Sequence, residues 1–209
     1  MKKKSKFFLG ALLVLSALTA CTATKSEIKA KEEGQVPKER VALIMDAENF
    51  ISDSAAEDYF SGSRLGLTLE LALNKEIHGQ GTKGLNYTYD VSEEGYTGTS
   101  IKFDKAQNWS KAKGIKLFMK KDSSGNKAVL QFKEVNGEYW ETSIAMDKDE
   151  SGEVYIPMKD FKQPAWGGMV DGKLDLSQIS EFSIYMNEVK GKTKVKQGTI
   201  VYDDIEAVK

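Results

Sequence analysis

The stretch Phe182-Ser183-Ile184-Tyr185-Met186-Asn187 decides the fold class. Its apolar side chains fall at every second position, the period of an extended strand, whose successive side chains point to opposite faces. Phe182, Ile184 and Met186 mark a face turned to a core, while Ser183, Tyr185 and Asn187 mark a face free to meet a ligand. On either side of it, similar short segments recur between clusters of Gly, Asn, Asp and Ser. Strands are expected at Val41–Asp46, Leu65–Leu73, Leu85–Val91, Tyr96–Phe103, Gly114–Lys120, Lys127–Lys133, Tyr139–Met146, Glu153–Ile156, Glu181–Asn187 and Gly198–Ala207. Asp122-Ser123-Ser124-Gly125-Asn126 and Val135-Asn136-Gly137 have the turn chemistry of consecutive hairpins. Long periodic helices are missing, and Glu57–Phe60 offers one helical turn. Strands at this spacing over residues 41–209 predict an all-β fold, a two-sheet antiparallel β-sandwich. Neither a glycine-rich phosphate loop nor a strand-helix alternation is visible, which argues against nucleotide chemistry.

The chain ahead of these segments has a different composition. Lys2, Lys3, Lys4 and Lys6 form a basic region, Phe7–Leu18 an apolar one too short to span a bilayer comfortably, and small residues lead up to Cys21. Leu18-Thr19-Ala20-Cys21 resembles the lipobox of bacterial lipoproteins, in which the cysteine thiol takes a diacylglycerol and becomes the new N-terminus. Residues 1–20 are then a signal peptide, Cys21 the lipidation site and residues 21–40 a tether, poor in apolar residues and without an aromatic. The alternative is an ordinary secretory signal with a cysteine near its cleavage point. Cys21 is the only cysteine in the chain, so a lipidated domain has no thiol left for disulfides or metal ligation. Two acyl chains suffice for stable anchoring, which places the protein on the extracytoplasmic face of the cell membrane without spanning it. Removal of residues 1–20 leaves 26 basic against 31 acidic side chains, a net charge of −5. No concentrated basic patch appears of the kind a nucleic acid or an anionic membrane surface requires.

Several strings recur in a familiar order: Ile44-Met45-Asp46-Ala47-Glu48, Glu94-Gly95-Tyr96-Thr97-Gly98-Thr99, Asn108-Trp109-Ser110-Lys111, Glu138-Tyr139-Trp140-Glu141, Ile156-Pro157-Met158-Lys159-Asp160-Phe161, Leu174-Asp175-Leu176-Ser177-Gln178-Ile179 and Val201-Tyr202-Asp203-Asp204-Ile205. Together they resemble the family 11 carbohydrate-binding modules, β-jelly rolls that bind β-glucans. The resemblance spans most of residues 41–209. It implies a galactose-binding-like jelly roll, a polysaccharide partner of the β-glucan or cellulose type, and no catalysis.

The chemistry of sugar recognition supplies an independent check. Pyranose rings present flat C–H faces that pack on aromatic side chains, and their rim hydroxyls need paired donors and acceptors. Tyr96, Tyr139, Trp166 and Tyr185 fall on expected strands or on the loop after Phe161, with Glu141, Gln163 and Asn187 close to them in sequence. Tyr96 and Trp166 match positions where the family places stacking aromatics, and Tyr185 lies within one residue of a third. Trp109 and Trp140 follow the family's buried pattern and are expected in the core. His78, without a second imidazole, is expected at the surface. One departure concerns specificity: the family places an arginine just after the Pro-x-x-x-Phe turn, where this chain has Lys162, Gln163 and Pro164, and its only arginines are Arg40 and Arg64. The resemblance also implies a structural calcium held by Asp46, Glu48 and Asp203, hard oxygen donors that suit this ion; acidic residues at strand ends are equally compatible with simple solvation.

Three functions compete on these residues. A non-catalytic glycan-binding lipoprotein requires a polar groove studded with tyrosines. A glycoside hydrolase requires two carboxylates across the scissile bond, for which Glu94, Glu141 and Asp160 can be nominated. An assembly or interaction lipoprotein requires an exposed apolar patch for a protein partner.

Overall fold

The computed structural model describes residues 39–60, 64–168 and 170–209. The signal sequence, Cys21 and nearly all of the tether lie outside them. The described residues form ten strands: β1 (Arg40–Met45), β2 (Arg64–Asn74), β3 (Gly84–Asp90), β4 (Tyr96–Gln107), β5 (Gly114–Lys120), β6 (Lys127–Glu134), β7 (Tyr139–Ala145), β8 (Ser151–Pro157), β9 (Ile179–Asn187) and β10 (Gln197–Val208). They also include one α-helix, α1 (Asp53–Phe60), and 3-10 turns at Ala47–Asn49 and Met158–Asp160.

All pairings are antiparallel, as in the expected sandwich. One sheet runs β7-β6-β9-β4 and is continued by Arg64–Gly66 of β2. The other runs from Leu67–Asn74 of β2 through β3, β10 and β5 to β8, with β1 prolonging the lane of β3 along β10. Strand β2 thus passes from one sheet into the other. Alternation fills the space between: Leu130 and Phe132 of β6 and Phe182, Ile184 and Met186 of β9 join one core with Tyr87, Ile115, Leu117, Ile200 and Tyr202 of the second sheet. Trp109 is fully buried, with ring centroids of Phe103, Phe132 and Phe182 at 6.0, 5.9 and 6.4 Å, and Trp140 is buried as well. Burying an aromatic of that size contributes on the order of 2–3 kcal/mol.

The helix is longer than the single turn read at Glu57–Phe60. The Ser52 hydroxyl accepts a hydrogen bond from the Ala55 amide at 3.2 Å, a capping interaction that starts a helix, and Ala56 and Phe60 bury one side of it. Its first residue is tied to the sheet, since Asp53 Oδ1 accepts from the Leu73 amide at 2.8 Å.

Gly98 of β4 faces Tyr185 of β9 in register. A Cβ added there would lie 2.1 Å from the Tyr185 Cβ and 2.7 Å from the Ile184 carbonyl oxygen, contacts that neither strand can relieve without moving. Gly98→Ala should therefore cost about 1–3 kcal/mol in urea unfolding. Gly152→Ala, at a position with open space around it, should stay within about 0.5 kcal/mol of wild type. Equal effects of the two would contradict the β4–β9 register.

Candidate functional site

The face of the β7-β6-β9-β4 sheet turned away from the core carries a groove of about 620 Å³, lined by Tyr96, Lys127, Gln131, Tyr139, Glu141, Trp166, Glu181, Ser183, Tyr185 and Asn187. Strand periodicity explains its membership. Because Leu130 and Phe132 face the core, Lys127 and Gln131 of β6 face out; because Phe182, Ile184 and Met186 face in, Glu181, Ser183, Tyr185 and Asn187 face out. Register then aligns them: Tyr96 opposes Asn187, and Gln131 stands between Glu141 on one side and Ser183 on the other.

Six of the seven sequence-nominated residues line this groove, in two physical classes. Tyr96 and Trp166 are 42% and 62% exposed, and the Trp166 ring leans on Tyr139 at a centroid distance of 5.1 Å and an angle of 51°. Lys133 Nζ stands 4.9 Å from the centre of the Tyr139 ring, an attractive placement for a cation. Tyr185 differs from the stacking platform expected of it, being 8% exposed. Its hydroxyl donates to Glu141 Oε2 at 2.5 Å, and Gln131 Nε2 donates to the same Glu141 oxygen at 3.0 Å and to the Tyr185 hydroxyl at 3.3 Å. Burial, and then the carboxylate beside it, raise the Tyr185 hydroxyl well above the usual tyrosine range, so it remains a proton donor. The trio forms a fixed polar floor. Asn187 Oδ1 lies buried at the groove without a hydrogen-bond partner among the described residues, an acceptor suited to a ligand hydroxyl.

Gln163 does not line the groove. Its Nε2 donates to Glu138 Oε1 at 2.8 Å. That oxygen also accepts the amides of Val170 at 2.8 Å, Asp171 at 3.1 Å and Gly172 at 2.8 Å. The bonds from Gly172, Val170, Asp171 and Gln163, the Gly172 amide foremost, outweigh desolvation and hold the Glu138 carboxyl down to about 2. Sequence reading passed over Glu138 because a lone glutamate before an aromatic carries no pattern. Lys127, Gln131 and Glu181 carry no such mark either, although the parity that puts Ser183, Tyr185 and Asn187 on the open face puts Glu181 there as well.

The acidic cluster is composed differently from the expected set. Asp46, Asp203 and Asp204 each offer a carboxylate oxygen within 4.8 Å of the others. Glu48 is engaged elsewhere: its Oε1 accepts the amides of Thr82 at 2.5 Å and Lys83 at 2.8 Å and the Thr82 hydroxyl at 3.0 Å. Asp204 enters because its φ of 49° turns the strand at a bulge, where β10 slips register against β5 between Asp203 and Glu206. Burial pushes the Asp203 and Asp204 carboxyls up. Asp203 accepts the amides of Ala47 and Gly79, each at 3.0 Å. Three hard oxygens converging here fit a calcium ion, which takes about six to eight such donors, some from backbone carbonyls or water.

Residues 39–208 match the family described as carbohydrate binding domain (family 11). The chain belongs to that family. The family 11 module of a cellulosomal cellulase from Clostridium thermocellum is similar to it at a TM-score of 0.54 and 22% identity, over 80% of this chain and 93% of that one. A Clostridium thermocellum family 11 module in complex with a β-1,3-1,4-mixed-linked tetrasaccharide is similar at a TM-score of 0.52 and 24% identity, over 69% of this chain and 85% of that one. A family 28 module specific for non-crystalline cellulose shares the fold, with a TM-score of 0.52 and 14% identity over 83% of this chain and 97% of that one. In sequence, the chain is 25% identical over 185 residues to a mannan endo-1,4-β-mannosidase of Bifidobacterium adolescentis, spanning 83% of this chain and 18% of the enzyme's length. Carbohydrate binding is the role of the family 11 domain.

The Glu138 carboxyl also sets a pH dependence. A carboxyl held below its usual 4.5 contributes stability that is complete above that value and is lost as pH falls toward about 2. The stability difference between wild type and Glu138→Gln, followed by thermal melts, should therefore shrink steadily from pH 4.5 to pH 2. A difference constant over that range would show that the charge of Glu138 is not what the amides hold.

Proposed function

We propose that this chain is a membrane-anchored, non-catalytic polysaccharide-binding lipoprotein that holds a β-glucan-type chain along the groove of the β7-β6-β9-β4 sheet. The observation that carries the proposal is the combination of exposed Tyr96 and Trp166 with the fixed Gln131–Glu141–Tyr185 floor in one groove. Exposed rings can stack on the C–H faces of successive sugars, and a pre-bonded floor meets their hydroxyls with little ordering cost. The tetrasaccharide complex of a family 11 relative supports a β-glucan ligand class. Among the described residues that line the groove the hydroxyl partners are Gln131, Glu141, Glu181, Ser183 and Asn187, groups suited to reading a glucan by single hydrogen bonds.

Of the carboxylates nominated for hydrolysis, only Glu141 lines the groove, and its Oε2 is engaged by Tyr185 and Gln131, which favours binding over catalysis. Anchoring rests on Cys21 and the tether, which would hold the domain at the extracytoplasmic face. Among the described residues no helix is long and apolar enough to cross a membrane. Calcium, held by Asp46, Asp203 and Asp204, would join the 46–48 turn to the bulge of β10 and act structurally, away from the sugar.

Affinity electrophoresis of the full chain through gels containing β-glucan, xyloglucan, xylan or mannan tests the proposal. Retardation is expected in a β-glucan gel, and Tyr96→Ala or Trp166→Ala should weaken it at least about tenfold without loss of fold. Retention that survives both substitutions would remove the groove from consideration; mobility unchanged in every gel would favour a protein-facing role, and reducing sugar released by the pure protein would make it an enzyme. Melting midpoints in calcium and in chelator test the ion, with the higher value expected in calcium.

A further inference from the structure

We infer that Glu138, which does not line the groove, is the positioning residue that fixes Trp166 for the ligand; the inference rests on the proposed role of the groove. Trp166 is 62% exposed, and its ring leans on Tyr139 at a centroid distance of 5.1 Å. The hold comes from bonds on either side. Three residues before Trp166, Gln163 donates its side-chain amide to Glu138 Oε1, and four to six residues after it the backbone amides of Val170, Asp171 and Gly172 donate to that same oxygen. Consecutive amides aimed at one anionic oxygen form a nest, and Gly172 completes it in the left-handed region at φ 67°, where glycine carries no steric penalty.

The position of Glu138 makes this hold relevant to binding. It closes the turn between β6 and β7, where its carbonyl accepts the Glu134 amide at 2.9 Å, and its side chain is fully buried. Tyr139, on which Trp166 leans, is the next residue. One short piece of chain therefore sets both members of the aromatic pair: Tyr139 through the strand it begins, and Trp166 through the carboxylate next to it. Asn136 Nδ2 donates to the second Glu138 oxygen at 3.1 Å, which fixes the carboxylate from the side of the turn. Neighbouring ties are the Glu141–Lys162 backbone pair, the Asp175 amide on Glu134 Oε1 at 3.0 Å, and the Gly167 amide on the Pro164 carbonyl at 3.0 Å, which turns the chain at Trp166 itself. The depressed carboxyl of Glu138 agrees with a charge that these donors need.

The test uses the full chain as wild type, Glu138→Ala, Glu138→Gln, Trp166→Ala and the double variant E138A/W166A. Amide hydrogen exchange is read first, because it involves no sugar. In E138A the amides of residues 170–172 should lose protection while those of β4, β6 and β9 keep theirs, and iodide should quench Trp166 differently, Trp109 and Trp140 being buried. Affinity for soluble mixed-linkage β-glucan or hydroxyethylcellulose is read next. E138A should weaken it about tenfold, and the double variant should lose no more than about twofold beyond W166A alone, because the two residues act as one unit. Losses that multiply in the double variant, or unchanged protection at 170–172, would overturn the inference. If E138A does not fold, E138Q carries the same measurements, since it keeps the shape and removes the charge. Failure of wild type to bind either polymer would overturn the role of the groove, and the exchange result would still decide whether Glu138 holds the segment.

Discussion

The register of β9 between β4 and β6 is the constraint on which the rest of the structure depends. Phe182 pairs with Ile101 on one side and Phe132 on the other, and Tyr185 with Gly98 and Val129. This pairing sends Phe182, Ile184 and Met186 into the core and Ser183, Tyr185 and Asn187 into the groove. A slip of one residue would exchange the two sets, burying polar groups without partners and exposing three large apolar side chains. The groove is therefore the outer side of the same alternation that builds the core.

Within the groove, rigidity and exposure are divided between side chains. The Gln131–Glu141–Tyr185 floor is largely buried and bonded to itself, while Tyr96 and Trp166 are left open. A stacking surface must be exposed to work, and an exposed side chain on an irregular segment is costly to order at the moment of binding. Locking the flanks of Trp166 onto a buried carboxylate orders it in advance. The acidic cluster follows the opposite logic: Asp203 and Asp204 gather charge where burial resists it, so a cation there would stabilise the fold more than the ligand.

Most of the architecture was legible in the sequence because it rests on local alternation. All ten expected strands occur, with shifts mainly at their ends. Strand β4 continues past Phe103 to Gln107 through Asp104, Lys105 and Ala106, an exposed stretch with no apolar alternation to announce it. The groove was legible only where aromatics marked it. Gln163 was nominated from its closeness to Trp166 in the chain, yet its side chain turns to Glu138, a residue 25 positions away that no spacing rule connects to it. Asp204 was missed for a specific reason: neighbours on a regular strand face opposite sides, and only the left-handed φ at this bulge brings it beside Asp203. Contacts made by long connections and by breaks in regularity are set by the tertiary fold, and single-sequence periodicity does not carry them.

The proposed function assigns sugar binding to one face of one sheet. Titration of the isotopically labelled protein with a mixed-linkage β-glucan oligosaccharide, followed by amide and side-chain NMR shifts, tests it directly. The perturbed resonances are expected to gather at Tyr96, Gln131, Tyr139, Trp166, Tyr185 and Asn187, with the indole of Trp166 among the largest. Perturbations centred on β5 and β8 of the other sheet, with these residues silent, would contradict it.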